Sequence, residues 1–114
     1  MQQFAFLLFF TLLIYSCKEE IEPSNITPAC IQEKIQEYLA EGRFCDDGRV
    51  VEYWFQDNYV YVFEKGTCLA DGDADVFSLR CNLICTLGGI TGNLQCNGDD
   101  FSKAAEELRT VFPN

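Results

Sequence analysis

Seven cysteines and no histidine set the chemistry open to this sequence. Without imidazole, the commonest general base and the commonest metal ligand are missing. Thiols, hydroxyls and carboxylates remain. Cysteine is several-fold richer than in an ordinary chain, which points to an oxidising compartment. Cys17 stands apart at the end of an apolar run. Cys30, Cys45, Cys68, Cys81, Cys85 and Cys96 are then an even set that can pair fully, with the connectivity open. Cys81 and Cys85 would lie too far apart on a strand to bond each other. A zinc site would want four thiolates or added histidines, so structural disulfides are expected and a metal is not. Asp71-Gly72-Asp73-Ala74-Asp75 opens like a calcium loop. Val76 then stands where glycine is needed and Asn82 where the bidentate glutamate belongs. A solvated acidic turn is the expectation, with a weak calcium site of another type as the alternative. No nucleophile elbow or phosphate-binding loop is present, and neither catalysis nor a cofactor is expected.

The other groups suited to recognition are aromatic. Val50 to Gln56 and Tyr59 to Glu64 read as two strands joined at Asp57-Asn58, a tight hairpin. Val51, Tyr53, Phe55, Val60 and Val62 share the more apolar face, which is expected to take the helices. Trp54, Tyr59, Tyr61 and Phe63 share the other and are the candidate binding residues, since aromatic side chains supply most binding hot spots. Trp54→Ala separates the outcomes: nearly unchanged stability for a free surface, a loss of about 3–5 kcal/mol for a covered one.

The elements that position these groups are few. Thr27-Pro28 suits a helix start, and Cys30, Ile31, Ile35, Tyr38 and Leu39 recur at helical spacing before Gly42, so a helix over about 28–41 is expected. A Gly/Asp-rich loop follows the hairpin from Gly66 to about Phe77, then a third strand over Arg80–Leu87. A second helix over about 100–112 carries Phe101, Ala104, Ala105, Leu108, Val111 and Phe112 on one side. The expected fold class is α+β: a small disulfide-stapled two-layer domain with N-terminal helix, antiparallel hairpin plus third strand, and C-terminal helix.

Phe4 to Tyr15 is an apolar run of about twelve residues. A membrane-spanning helix needs roughly twenty, so the run suits an export signal. Leu13-Ile14-Tyr15-Ser16-Cys17 resembles the lipobox of bacterial lipoproteins, with relaxed Ser-Cys ends familiar among Bacteroidota. In that family the thiol carries lipid and becomes the N-terminus after cleavage. The division expected is 1–16 signal peptide, 17–27 lipid-anchored tether, and 28–114 one domain. Lys18-Glu19-Glu20 resembles the short charged signal of surface-exposed lipoproteins, which implies the outer membrane and the cell surface. Extended at about 3.3 Å per residue, the segment 18–27 would hold the domain roughly 30 Å from the lipid. The alternative is an ordinary secreted protein, with Asn25-Ile26-Thr27 a glycosylation site in a eukaryote.

All of the −10 net charge lies beyond residue 16. Such a domain repels phosphate backbones, which excludes nucleic acid as a partner. From Cys81-Asn82-Leu83-Ile84-Cys85-Thr86-Leu87-Gly88-Gly89-Ile90-Thr91-Gly92 to Cys96, with Cys30-Ile31 opening the first helix, the chain resembles small Bacteroidota lipoproteins that carry a domain of unknown function. The resemblance covers roughly 28–101 and implies fold and location only. The function expected is that of a lipid-anchored envelope protein with a binding or structural domain. Its partners would be the membrane, through the lipid, and an extracellular glycan or protein. A secreted inhibitor-like module and a small enzyme are the alternatives. An inhibitor would project a rigid loop from between disulfides, and an enzyme would hold a pocket of perturbed carboxylates.

Overall fold

The structure is a computed structural model that describes residues 21–69 and 72–114. The expected export signal, Cys17, Lys18-Glu19-Glu20 and Asp71 lie outside the described residues. The element order is α1 (Ala29–Ala40), β1 (Arg49–Phe55), β2 (Asn58–Glu64), β3 (Asp73–Ser78), β4 (Leu83–Gly88), β5 (Gln95–Cys96), β6 (Asp99–Asp100), α2 (Phe101–Ala104) and β7 (Glu106–Phe112). Five strands form one sheet in the order β4-β3-β2-β1-β7, every pair antiparallel. β5 and β6 form a separate small hairpin.

α1 forms where the 3.6-residue spacing predicts it, and it buries Ile31, Ile35 and Tyr38. Pro28 is the N-cap, and its carbonyl accepts from Ile31 N at 3.0 Å and Gln32 N at 3.1 Å. Thr27 does not cap. Its hydroxyl accepts from Arg109 Nη2 at 3.1 Å, a more strongly held partner. The helix ends in a Schellman motif: Arg43 N donates to Tyr38 O and Gly42 N to Leu39 O, with Gly42 at φ 65°.

The β1–β2 hairpin forms one residue earlier than its sequence suggests. The turn is Gln56-Asp57, both at positive φ (49° and 61°), and Phe55 pairs with Asn58, Trp54 with Tyr59 and Glu52 with Tyr61. Asn97 and Asp99 decide this. Gln56 Nε2 donates to Asn97 O (3.0 Å) and Asp99 Oδ2 (2.7 Å), and Asn97 Nδ2 donates to Gln56 Oε1 (2.7 Å). These bonds hold glutamine in a conformation that it seldom adopts alone. The shift changes partners but leaves each residue on its expected face, because side chains alternate with period two.

Three expectations about the fold are overturned. The C-terminal helix over 100–112 does not form: Asp100 caps a single turn by accepting from Ser102 N at 3.0 Å, and the chain leaves it extended at Ala105. Glu106–Phe112 then becomes β7 and pairs along β1, from Val50↔Phe112 to Trp54↔Glu106. Those pairings satisfy backbone groups along the free edge of β1, and the gain outweighs the helix propensity of Lys103 to Leu108. Two register shifts in β7 break strict alternation, which is why the segment lacks a strand pattern in sequence. Asp73–Ser78 is a strand and not a loop, and the third-strand segment begins at Leu83, since Arg80 to Asn82 make the β3–β4 turn with Cys81 at φ 63°. The domain is also not two-layered. α1 covers one sheet face over Val50, Tyr61, Phe63 and Phe77. The β5–β6 hairpin and α2 cover the other, where Cys96 and Phe101 pack on Phe55, Val60, Val62 and Val76. It is a mostly antiparallel β domain with one full helix.

Disulfides join Cys30–Cys81, Cys45–Cys68 and Cys85–Cys96. They fasten α1 to the β3–β4 turn, the loop before β1 to the loop after β2, and β4 to β5.

Candidate functional site

The four aromatic residues singled out for recognition are not brought together as a surface. Tyr61 and Phe63 are 0% exposed beneath α1. The Tyr38 ring lies 4.8 Å from that of Phe63, and Phe77 closes the far side at 5.1 Å. Trp54 and Tyr59 are half-buried at the end of the face, edge to face at 5.1 Å. The helix covers this side because the side carries two carboxylates, Glu52 and Asp75, that need buried partners. Both are buried; α1 supplies Tyr38 and its preceding segment Ser24, while the other partners reach them from the strands and loops.

Around Glu52, Ser24 N donates at 2.9 Å, Tyr61 OH at 2.9 Å and Arg109 Nη2 at 3.4 Å, while Ser24 Oγ makes a further bond. Arg109 Nη2 also reaches Ser24 Oγ at 3.1 Å. Residues 22–27 are therefore no free tether but part of the cover, and Tyr59 OH donates to Glu22 O at 2.8 Å. Around Asp75, Tyr38 OH donates to Oδ2, Thr86 Oγ1 to Oδ1 at 3.2 Å, and Lys65 Nζ and Arg43 Nη2 each lie 3.4 Å from Oδ2. Arg43 stacks over the Tyr38 ring at 3.9 Å. Burial, then the bond to Asp75, pushes the Tyr38 phenol well above its ordinary value. Burial, then the bond to Glu52, raises Tyr61 to about 12. These phenols stay protonated and donate. The two centres are ion-paired and hydrogen-bonded, and each carboxylate has several partners that hold the surrounding elements together.

The acidic segment read as a turn is divided by the fold. Asp73 and Asp75 lie in β3, and Lys65 Nζ approaches Asp73 Oδ1 at 2.6 Å. Among the described residues, no cluster of three acidic or cysteine side chains has the placement of a metal site.

Two other features have the form of contact sites. The first is an open groove of ≈ 780 Å³ at one end of the sheet, between the β1–β2 hairpin and the β3–β4 turn. Tyr59, Leu79, Arg80, Leu83 and Ile84 line it, and among the described residues Arg80 is the charged one of its lining. Leu79 is 41% and Leu83 58% exposed. The second is the loop closed by Cys85–Cys96 at the opposite end of β4. Gly88 exchanges both backbone bonds with Asn93, at 2.8 and 3.2 Å, and Gly92 N donates to Gly89 O at 3.1 Å. A side chain at Gly88, where φ is 76°, would meet Gly72 O at 2.8 Å. Asn93 Nδ2 ties the base by donating to Thr86 O and Gln95 O, both at 3.0 Å. The tip presents Ile90, 86% exposed. Neither feature was singled out from sequence as a contact site. One signal was available: Cys81 to Gly98 holds no charged residue, in a chain of net charge −10.

Among the described residues these features define a small disulfide-stapled, mostly antiparallel β domain with α1 on one sheet face and a small hairpin and the short α2 on the other. The chain belongs to the family described as Domain of unknown function (DUF6970), whose model matches residues 36–114. No curated protein and no solved structure matches it.

Proposed function

We propose that this protein is a lipid-anchored component of the bacterial cell envelope, held through Cys17, whose domain presents the Cys85–Cys96 loop to a protein or glycan partner at the cell surface. The observation that carries the reading is Ile90: a large aliphatic side chain, 86% exposed, on a loop held by a disulfide, glycine-dependent turns and the Asn93 bonds. Single exposed apolar residues are common. A rigid, uncharged loop that projects one loses little entropy on binding. The three disulfides suit an extracytoplasmic compartment, and the apolar run ending at Ser16-Cys17 supports export and lipidation. The resemblance to Bacteroidota lipoproteins supports the outer membrane as the location.

Two measurements test this. Labelled palmitate should enter the wild-type protein and not Cys17→Ala, which should leave the membrane fraction; an unmodified Cys17 in the mature protein sinks the anchor. Ile90 replaced by p-benzoylphenylalanine should give a discrete crosslinked adduct on intact cells, and the same probe in place of exposed Lys103 should not. Equal crosslinking from both sites refutes the loop. An inhibitor-like module is the second reading, favoured by the same loop. Resistance of the 86–95 segment to proteases that the protein inhibits would distinguish it.

A further inference from the structure

Resting on the lipid-anchor reading, we infer that the groove end of the sheet lies directly on the phospholipid bilayer, with Leu79 and Leu83 at the interface and Arg80 beside the lipid phosphates. The first ground is the number of residues between the lipid and the first held segment. Were 18–27 an open tether, the domain would stand well away from the membrane. Instead Ser24 and Thr27 are held by Glu52 and Arg109, and the Glu22 carbonyl is held by Tyr59 OH. Four residue steps separate Cys17 from Ile21, the first described residue. At about 3.3–3.6 Å per step they reach roughly 13–14 Å when extended. The second ground is where that chain leaves the domain. Tyr59 both holds Glu22 and lines the groove, so the described chain that leads toward Cys17 begins close to the element that carries Leu79, Arg80 and Leu83.

The third ground is charge. An acidic domain is repelled by lipid phosphates over most of its surface. The groove departs from that rule, since among the described residues that line it the charge is the guanidinium of Arg80. Exposed leucines beside an arginine, with Tyr59 in the same lining, are side chains that settle at a membrane interface. The orientation also places the other contact feature. β4 runs from Leu83 to Gly88, about 17 Å at 3.3–3.4 Å per step, so the Ile90 loop stands at the end away from the lipid.

The test uses mature lipidated protein in phosphatidylcholine vesicles, with brominated phosphatidylcholine as a contact quencher. Leu83→Trp and Ile90→Trp are made at exposed positions, so both variants should fold. The emission added by Leu83→Trp should be quenched and blue-shifted, and that added by Ile90→Trp should be neither. A ten-residue Gly-Ser spacer inserted after Glu20 should abolish the quenching while the protein still floats with the vesicles. Flotation with no quenching of Leu83→Trp, or with quenching of Ile90→Trp, overturns the orientation and leaves the anchor standing. Failure to float, with no lipid on Cys17, overturns both.

Discussion

Replacing Arg109 by methionine removes the cation from a carboxylate that is 0% exposed, and the consequence follows from the geometry around Glu52. The carboxylate would keep its bonds from Ser24 N and Tyr61 OH, each at 2.9 Å, but lose Nη2 at 3.4 Å and Nε at 3.4 Å. Breaking one side of a buried pair costs about 3–5 kcal/mol, because the remaining charge is left uncompensated. Arg109 is 27% exposed, so water reaches the vacated side and the lower end, about 3 kcal/mol, is expected. Glu52→Gln with Arg109→Met removes the charge as well as its partner and should be less destabilising than the sum of the two single changes. The coupling should be about 1–3 kcal/mol. Urea unfolding of the mature protein supplies the free energies. Amide exchange supplies a second readout: Ser24 N loses protection if its carboxylate partner is displaced, ahead of global unfolding. Additive single and double changes, or unchanged exchange at Ser24, would refute the claim that this network pins the N-terminal segment to the sheet.

Phe63→Ala should cost about 3–5 kcal/mol in the same assay, as a fully buried aromatic, whereas half-buried Trp54→Ala should cost about 2 kcal/mol; a neutral Phe63→Ala would mean that α1 does not cover this face. Burial and neighbouring carboxylates raise the folded pKa of Tyr53 and Tyr61 to about 12, and that of Tyr38 further, from the ordinary value of 10.0. The folded state thus holds protons that the unfolded state releases. Their contribution is complete below about pH 10 and is lost as pH climbs from there through about 12, so a rapid pH jump should show stability falling above pH 10, with phenolate absorbance rising as the chain unfolds. A melting temperature flat to pH 12 would contradict the burial of these phenols. Non-reducing peptide mapping should recover Cys30–Cys81, Cys45–Cys68 and Cys85–Cys96 with no free thiol among the six; any other pairing contradicts the packing of α1 on the β3–β4 turn, of β5 on β4, or of the two loops that flank the β1–β2 hairpin.

Local chemistry alone settled much of this protein. The spacing of Ile31, Ile35 and Tyr38 identifies α1, Gly42 ends it, and the aromatic and β-branched runs identify β1 and β2 with each residue on its observed face. The six cysteines beyond Cys17 forecast a full set of bridges, although not their partners. Tertiary structure decided the rest, because the deciding interactions join residues far apart in the chain. Glu106–Phe112 is extended since β1 offers a free edge to pair with, and no local pattern records that edge. Asp73 and Asp75 sit in a strand since Lys65, Arg43 and Tyr38 meet them there. Glu52 alternates onto the Trp54 face, where a charge in a sequence pattern speaks for solvent. In the fold that same carboxylate, buried with Ser24 and Arg109, draws the N-terminal segment across the face and removes it as a binding surface. A charged residue marks solvent in a sequence pattern because lone charges shun the interior. Once a distant partner is supplied, the inference reverses.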